Sequence, residues 1–129
     1  MSRGPLPSQL CLLSSLPYRA NGDKVRFLGC VFSYSTSAAC LRLAHDYPQG
    51  TDVTAVVDVN LLLNTLGHEK TRVGEWVNVI GYVTRKQQQR MGKPTTPGGL
   101  AVHVQALVVW STGPLDVQRY EKTFDRGSI

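Results

Sequence analysis

Cysteine and histidine are the side chains of this sequence that could bind a metal or act as a nucleophile. Cys40 and His45 are separated by four residues, and His68 or His103 would have to complete a site with them. This spacing does not match the closely spaced ligand pairs of zinc sites, and no second pair accompanies it. We therefore expect no metal site. Cys30 and Cys40 are predicted to be small core residues on strands, and the histidines are predicted to occupy solvated positions.

The carboxylates do not suggest an acid–base pair. They are spread over predicted loops and strand ends, at Asp46, Asp52, Asp58, Glu69 and Glu75. General acid–base catalysis needs a pair of groups held in different environments, and the sequence alone shows no such pair. We predict that the chain is not an enzyme, that it has no catalytic residues and that it requires no cofactor.

Basic residues are concentrated in one stretch. No acidic residue occurs between Trp76 and Leu115, and four basic residues cluster within nine positions there, at Arg85, Lys86, Arg90 and Lys93. Such a cluster can neutralise nucleic-acid phosphates, and Tyr34, Trp76 and Tyr82 are candidates for stacking on bases. We predict that these four residues bind nucleic acid. The alternative is that the charges only keep a long loop soluble.

The C-terminal residues predict an amphipathic helix that ends near Arg126. Val117, Tyr120 and Phe124 recur at helical spacing and form a narrow apolar stripe. Asp116 lies at the positive end of the helix dipole, where a carboxylate is favourable. The stripe either packs on the rest of the chain or binds a partner, and the aromatic pair favours a partner.

Length and composition limit the classes of protein to consider. The 129 residues and 14.2 kDa fit one domain. Fourteen basic and nine acidic residues give a net charge of +5, which suits a polyanionic partner. No run approaches the roughly 20 apolar residues of a membrane span, so we expect no membrane association. Three cysteines without CxxC spacing favour a reducing compartment over a secreted disulfide scaffold.

Alternating β-branched and aromatic residues predict five strands, over residues 25–32, 39–44, 53–57, 76–85 and 100–110. Gly29, in the middle of the first strand, suggests a bulge or a sharp bend. A short helix is predicted between the third and fourth strands. Asp58 would cap it, Gly67 would end it, and its apolar face would consist of Val59, Leu62, Leu63 and Leu66.

Five antiparallel strands with one helix between the third and fourth predict an all-β, five-stranded Greek-key OB barrel. A six-stranded SH3-like barrel and a lipocalin fragment are alternatives, but neither has a helix at this position. We place an irregular N-terminal arm over residues 1–22, the barrel over 23–111 and a partner-binding helix over 112–127. The basic cluster then falls in the loop between the fourth and fifth strands, which flanks the oligonucleotide groove of OB barrels.

Three segments taken together resemble a known family. They are residues 22–31 (GDKVRFLGCV), 74–83 (GEWVNVIGYV) and 105–116 (QALVVWSTGPLD). In this order, and in so short a chain, they resemble a fungal form of the small Ten subunit of the CST telomere-capping complex, from about residue 22 to 124. Residues 1–20 and 87–99 contribute nothing to this resemblance.

The resemblance implies a nuclear, telomeric and non-enzymatic OB-fold subunit that pairs with a larger OB-fold subunit of the complex and stabilises it. In that family the C-terminal helix and a barrel flank form the partner interface. The partner role would therefore fall on Val117, Tyr120 and Phe124, with Arg119 at the rim. The complex binds single-stranded telomeric DNA, limits end resection and recruits polymerase α–primase for C-strand fill-in. This chain would meet DNA mainly through the complex and the polymerase indirectly. A free-standing oligonucleotide-binding OB protein remains the alternative.

Overall fold

Strands are the main regular structure in the described part of the chain, which covers residues 7–85, 100–113 and 116–126 in this computed structural model. The strands are β1 (Gln9–Leu10), β2 (Lys24–Ser35), β3 (Cys40–Ala44), β4 (Val53–Asp58), β5 (Trp76–Arg85) and β6 (Leu100–Ser111). The α-helices are α1 (His68–Thr71) and α2 (Val117–Arg126), and 3-10 helices cover Leu13–Tyr18 and Asn60–Leu62. The five predicted strands correspond to β2 through β6.

Strands β2 to β6 close into a barrel in the order β2-β3-β4-β6-β5, and β5 pairs back with β2. This arrangement confirms the predicted five-stranded OB barrel. One seam differs from the all-antiparallel expectation, because β4 and β6 pair in parallel, with Val53 opposite Leu100. The reason is that β5 is antiparallel to both β2 and β6, so β6 must run in the same direction as β2 and β4.

The barrel core consists mainly of the valines and leucines that alternate along each strand. On β5, Val77, Val79 and Val83 are at most 1% exposed, as the alternation predicts. On β6 the alternating residues Val102, Val104 and Ala106 are buried. A register shift opposite Ile80 and Gly81 then turns the strand, so Val109 is buried and Val108 is 45% exposed.

The expectation of an irregular N-terminal arm is wrong for residues 9–18. β1 pairs in parallel with β2, and the 3-10 helix that follows contacts β2, β4 and β6. Cys11, Leu13 and Leu16 are buried in the same core cluster as the barrel strands. We call residues 11–16 the N-terminal plug. A Cβ added at Gly29 would lie 2.8 Å from Leu43 Cβ on β3 and 3.0 Å from Leu13 Cδ1. Gly29 therefore makes room for β3 and for the N-terminal plug, and the bulge of β2 occurs later, between Val31 and Ser33.

The helix predicted over residues 58–67 is also wrong in its extent. The Asn60 amide does donate to Asp58 Oδ1, at 2.8 Å, but the chain then forms 3-10 bonds, from the Leu62 amide to Val59 and from the Thr65 amide to Leu62. The Thr65 hydroxyl also donates to the Leu62 carbonyl, at 3.3 Å, so this carbonyl accepts from Thr65 twice and the helix does not continue. Leu62 still packs against the core.

Candidate partner and nucleic-acid interface

The helix α2 starts at a well-formed cap. Asp116 Oδ1 accepts a hydrogen bond from the Arg119 amide at 3.1 Å, and the Asp116 carbonyl accepts from the Tyr120 amide at 3.1 Å. A carboxylate at this position satisfies a free amide and complements the helix dipole, as the sequence predicted. A helix of ten residues is still marginal in water, so it must dock on a surface.

The predicted stripe lies against the barrel without being fully covered. Val117, Tyr120 and Phe124 are each partly buried, and the rings of Tyr120 and Phe124 pack with their centroids 5.2 Å apart. Arg119, the predicted rim residue, is exposed on the other side of the helix, as is Lys122. The stripe therefore packs on its own barrel and also leaves surface available to a partner.

Tyr120 lies against β2, near Arg26 and the backbone of Leu28. β1 pairs with β2 up to Arg26, and β3 begins to pair at Cys30. The Tyr120 ring is 6.1 Å from that of His45, which directly follows β3. Burial raises the pKa of Tyr120 to about 12; the nearby Cys11 thiol acts in the same direction and the Arg26 charge opposes it. The Leu28 backbone also lowers the pKa, but among the described residues no group meets the geometry of a hydrogen bond to the buried hydroxyl.

His45 is buried beneath α2, although we expected it in solvent. Its side chain is 2% exposed, and its Nε2 lies 2.7 Å from Glu121 Oε2. The ring is edge-on to Trp76 at 5.3 Å and stacked on Tyr47 at 6.1 Å. Sequence reasoning missed this contact because its partners are 76 positions apart. One signal was present: Glu121 falls on the same helix face as Val117, and a carboxylate on an apolar face needs a polar partner.

The cysteine–histidine pair considered in the sequence does not converge. Cys40 begins β3 and His45 follows its last residue, which puts them roughly 16 Å apart along an extended strand. Cys30 and Cys40 are both partly exposed and free. Burial raises the pKa of the Cys30 thiol, and the Glu75 charge adds to the effect. Within residues 7–85, 100–113 and 116–126, no three potential metal ligands come together.

The predicted nucleic-acid residues lie mostly beyond the described part of the chain. Arg85 ends β5 and pairs with His103 of β6. Lys86, Arg90 and Lys93 lie outside the described residues. Of the three aromatic candidates for base stacking, Tyr34 packs against the core and Trp76 packs on the buried His45. Tyr82 is partly buried on β5, at the position opposite Lys24 and Gln105.

An open groove of about 330 Å³ lies on the barrel face next to the end of β5. Its lining comes from the β2–β3 turn and from β3 to β6, at Ala38, Cys40, Val56, Asp58, Thr84, His103, Val104 and Gln105. This is the face that OB barrels present to oligonucleotides. Among the described residues of the lining, Asp58 is the acidic one, and none is a lysine or an arginine. The described part of the groove therefore suits polar groups better than phosphates.

Comparison with known families decides what kind of protein this is. A profile of the Ten1 family, described as "Telomere capping, CST complex subunit", matches residues 1–125. The chain belongs to the Ten1 family. It is therefore a subunit of the telomere-capping CST complex, built on an OB barrel. The resemblance drawn from three strand segments is confirmed over nearly the whole chain.

Solved structures agree with this assignment at the level of the fold. A chain of the S. pombe Stn1–Ten1 complex is 23% identical with a TM-score of 0.69, covering 97% of this chain and 95% of that one. S. pombe Ten1 alone is 23% identical with a TM-score of 0.68, covering 95% and 100%. A chain of U. maydis replication protein A bound to single-stranded DNA is 16% identical with a TM-score of 0.58, covering 95% and 90%.

Two further results complete the comparison. No curated protein sequence matches the chain. Among the helices of residues 7–85, 100–113 and 116–126, none has the length and apolar character needed to cross a membrane.

Proposed function

We propose that the chain is a non-enzymatic subunit that pairs with the larger OB-fold subunit of the CST complex, in the nucleus and at telomeres. The observation that carries this proposal is the family match over residues 1–125. The likeness to a chain of the S. pombe Stn1–Ten1 complex, which covers 97% of this chain, supports pairing as the mode of action.

The surface proposed for pairing is α2 together with the adjacent barrel flank. Val117, Tyr120 and Phe124 each keep part of their surface exposed, and Arg119 is exposed on the other side of the helix. Aromatic side chains and arginine are the residue types that most often dominate binding energy at interfaces. Docking on the barrel orders the helix beforehand, which lowers the entropy cost of binding.

Contact with single-stranded telomeric DNA is proposed as a secondary role, exercised mainly through the assembled complex. Arg85 ends β5 next to the groove. We propose that it contacts phosphates together with the basic residues that follow it in the sequence, Lys86, Arg90 and Lys93. The groove itself would face base edges, since the charged side chain among its described lining residues is the acidic Asp58. Polymerase α–primase and C-strand fill-in would be reached indirectly, through the larger subunit.

Pairing is tested with the full chain and the larger OB-fold subunit from the same organism, by size-exclusion chromatography with light scattering and by titration calorimetry. We expect a heterodimer, and Phe124→Ala should weaken it by about tenfold or more. Tyr18→Ala is the matched aromatic control, because Tyr18 is 88% exposed on the 3-10 helix, and should leave affinity unchanged. Absence of a complex, or equal loss in both variants, would contradict the proposal.

A further inference from the structure

The apolar contacts of α2 leave its orientation underdetermined. The stripe consists of three side chains on a helix of ten residues, and each remains partly exposed. Apolar packing is not directional, so such a helix could rotate about its axis or slide along the barrel at little cost. A polar contact with strict geometry is the kind of interaction that removes this freedom.

The bond between His45 and Glu121 has that geometry. It joins the chain just after β3 to the middle of α2, with Nε2 and Oε2 2.7 Å apart. His45 is itself immobilised, because its ring contacts those of Tyr47, Trp76 and Tyr120. The Glu121 side chain is only 19% exposed, and a carboxylate withdrawn from water needs a donor to offset the lost hydration.

We propose that His45 is a positioning residue for the partner-binding helix, acting through Glu121. Two residues along an α-helix are separated by about 200° of rotation, so fixing Glu121 towards the barrel directs Arg119 away from it. Glu121 also follows Tyr120 directly, so the same bond holds the Tyr120 ring against the barrel. This inference rests on the proposed function, since it concerns how α2 is presented to the larger subunit.

Two other polar atoms close to this bond, beneath α2, are buried. His45 Nδ1 and Tyr120 Oη are both buried and have no hydrogen-bond partner among the described residues. Leaving buried polar groups unpaired is unfavourable. Among the described residues, the bond to Glu121 is the polar contact found for the His45 ring. If α2 moved from its docked position, the buried ring would lose this contact, so the bond favours the docked position.

The test compares two substitutions of His45 in the full chain. His45→Leu keeps a similar volume but removes the donor, whereas His45→Gln retains an amide N–H that can reach Glu121. Glu121→Ala removes the acceptor and leaves the His45 ring in place, so it serves as a second variant if His45→Leu fails to fold. Affinity for the larger OB-fold subunit is measured by calorimetry, and amide hydrogen exchange is measured across the free chain.

We expect His45→Leu and Glu121→Ala each to weaken pairing by about tenfold, the size typical of a lost hydrogen bond to a charged group. Exchange should quicken in α2 and stay unchanged in β2–β6, and His45→Gln should restore most of both properties. Affinity within twofold of the original, exchange that rises equally in the barrel, or no rescue by glutamine overturns the inference. If the unaltered chain fails to bind the larger subunit, the proposed function fails instead, while local exchange in α2 still tests the bond.

Discussion

The ring and the hydroxyl of Tyr120 affect the stability of the folded chain in opposite directions. Its ring packs against Phe124 and His45, which stabilises α2 on the barrel. Its hydroxyl is buried in the same place without a hydrogen-bond partner among the described residues, which is unfavourable. A phenylalanine would satisfy the packing alone. The hydroxyl is therefore a feature that packing within this chain does not require.

The raised pKa of Tyr120 predicts how stability depends on pH. The folded chain holds this proton up to about pH 12, whereas an ordinary tyrosine loses it near 10. The resulting stabilisation is complete below pH 10 and is lost as the pH rises towards 12. We expect Tyr120→Phe to flatten the fall in the free energy of unfolding over this range, as measured by urea denaturation. Tyr18→Phe is the control, because Tyr18 is exposed. If both variants show the same pH dependence of the unfolding free energy as the unaltered chain, the pKa of Tyr120 is not raised by burial.

In the contact between α2 and the barrel, the sequence could predict the residues of the helix but not the residue of the barrel. Val117, Tyr120 and Phe124 follow the helical repeat, so a local pattern identifies them. His45 has no local pattern. Its environment is made by Trp76 and Glu121, which are distant in sequence, and only the closed barrel brings them to it.

Among the elements, the N-terminal segment departs furthest from its sequence pattern. Prolines and serines interrupt residues 5–17, so neither the helical nor the strand period appears. The segment is nevertheless buried, because Leu13 and Leu16 belong to the same core cluster as the barrel strands. Such burial is set by the shape of another part of the fold, which a local pattern does not contain.

Leu16 provides the test of this plug. Leu16→Ala should lower the free energy of unfolding by about 2–5 kcal/mol, because it removes a fully buried side chain and leaves a cavity. Leu10→Ala, in β1, should cost about 0.5 kcal/mol, because Leu10 is 47% exposed. Both values come from urea denaturation of the free chain. Equal losses in the two variants would show that the segment is an appendage.

The basic cluster is tested as one element. Changing Arg85, Lys86, Arg90 and Lys93 together to glutamate should weaken the binding of single-stranded DNA by the assembled complex. Each lost phosphate contact should also reduce the slope of log affinity against log salt by about 0.7. Arg72→Glu, a charge reversal at an exposed site after α1, is the control. An unchanged salt slope in the fourfold variant would mean that the loop is only a solvated connection.

At the scale of the whole molecule, the order of elements carried more information than any single element. The prediction of an OB barrel rested on five strands with a helix after the third. That connection contains a 3-10 helix at Asn60–Leu62 and α1 at His68–Thr71 in place of the helix predicted over residues 58–67. The barrel closes through pairing between β4 and β6 and between β5 and β2. Closure of the barrel depends on the number and order of its strands. The fold prediction therefore holds even though the connection between β4 and β5 was predicted incorrectly.

The core and α2 are separate parts of this molecule. The buried cluster draws on the N-terminal plug, the barrel strands, Ala39 of the β2–β3 turn and Val59, and none of the described side chains of α2 belongs to it. The helix contributes instead through a second, smaller contact outside the barrel, made by Tyr120, Phe124 and the Glu121–His45 pair. Folding of the barrel and presentation of α2 are therefore expected to respond differently to substitution.

Tyr120→Ala measures both responses in one variant. It removes a partly buried aromatic ring, so the free chain should lose about 1–3 kcal/mol of unfolding free energy, less than a fully buried ring would cost. Because the same ring belongs to the proposed interface, affinity for the larger subunit should fall about thirtyfold, equivalent to about 2 kcal/mol. Thermal unfolding of the free chain and calorimetric titration give the two values, with Tyr18→Ala as the exposed control. A destabilised chain that pairs with undiminished affinity would show that the α2 stripe serves only its own barrel, and the interface would then have to lie elsewhere on the molecule.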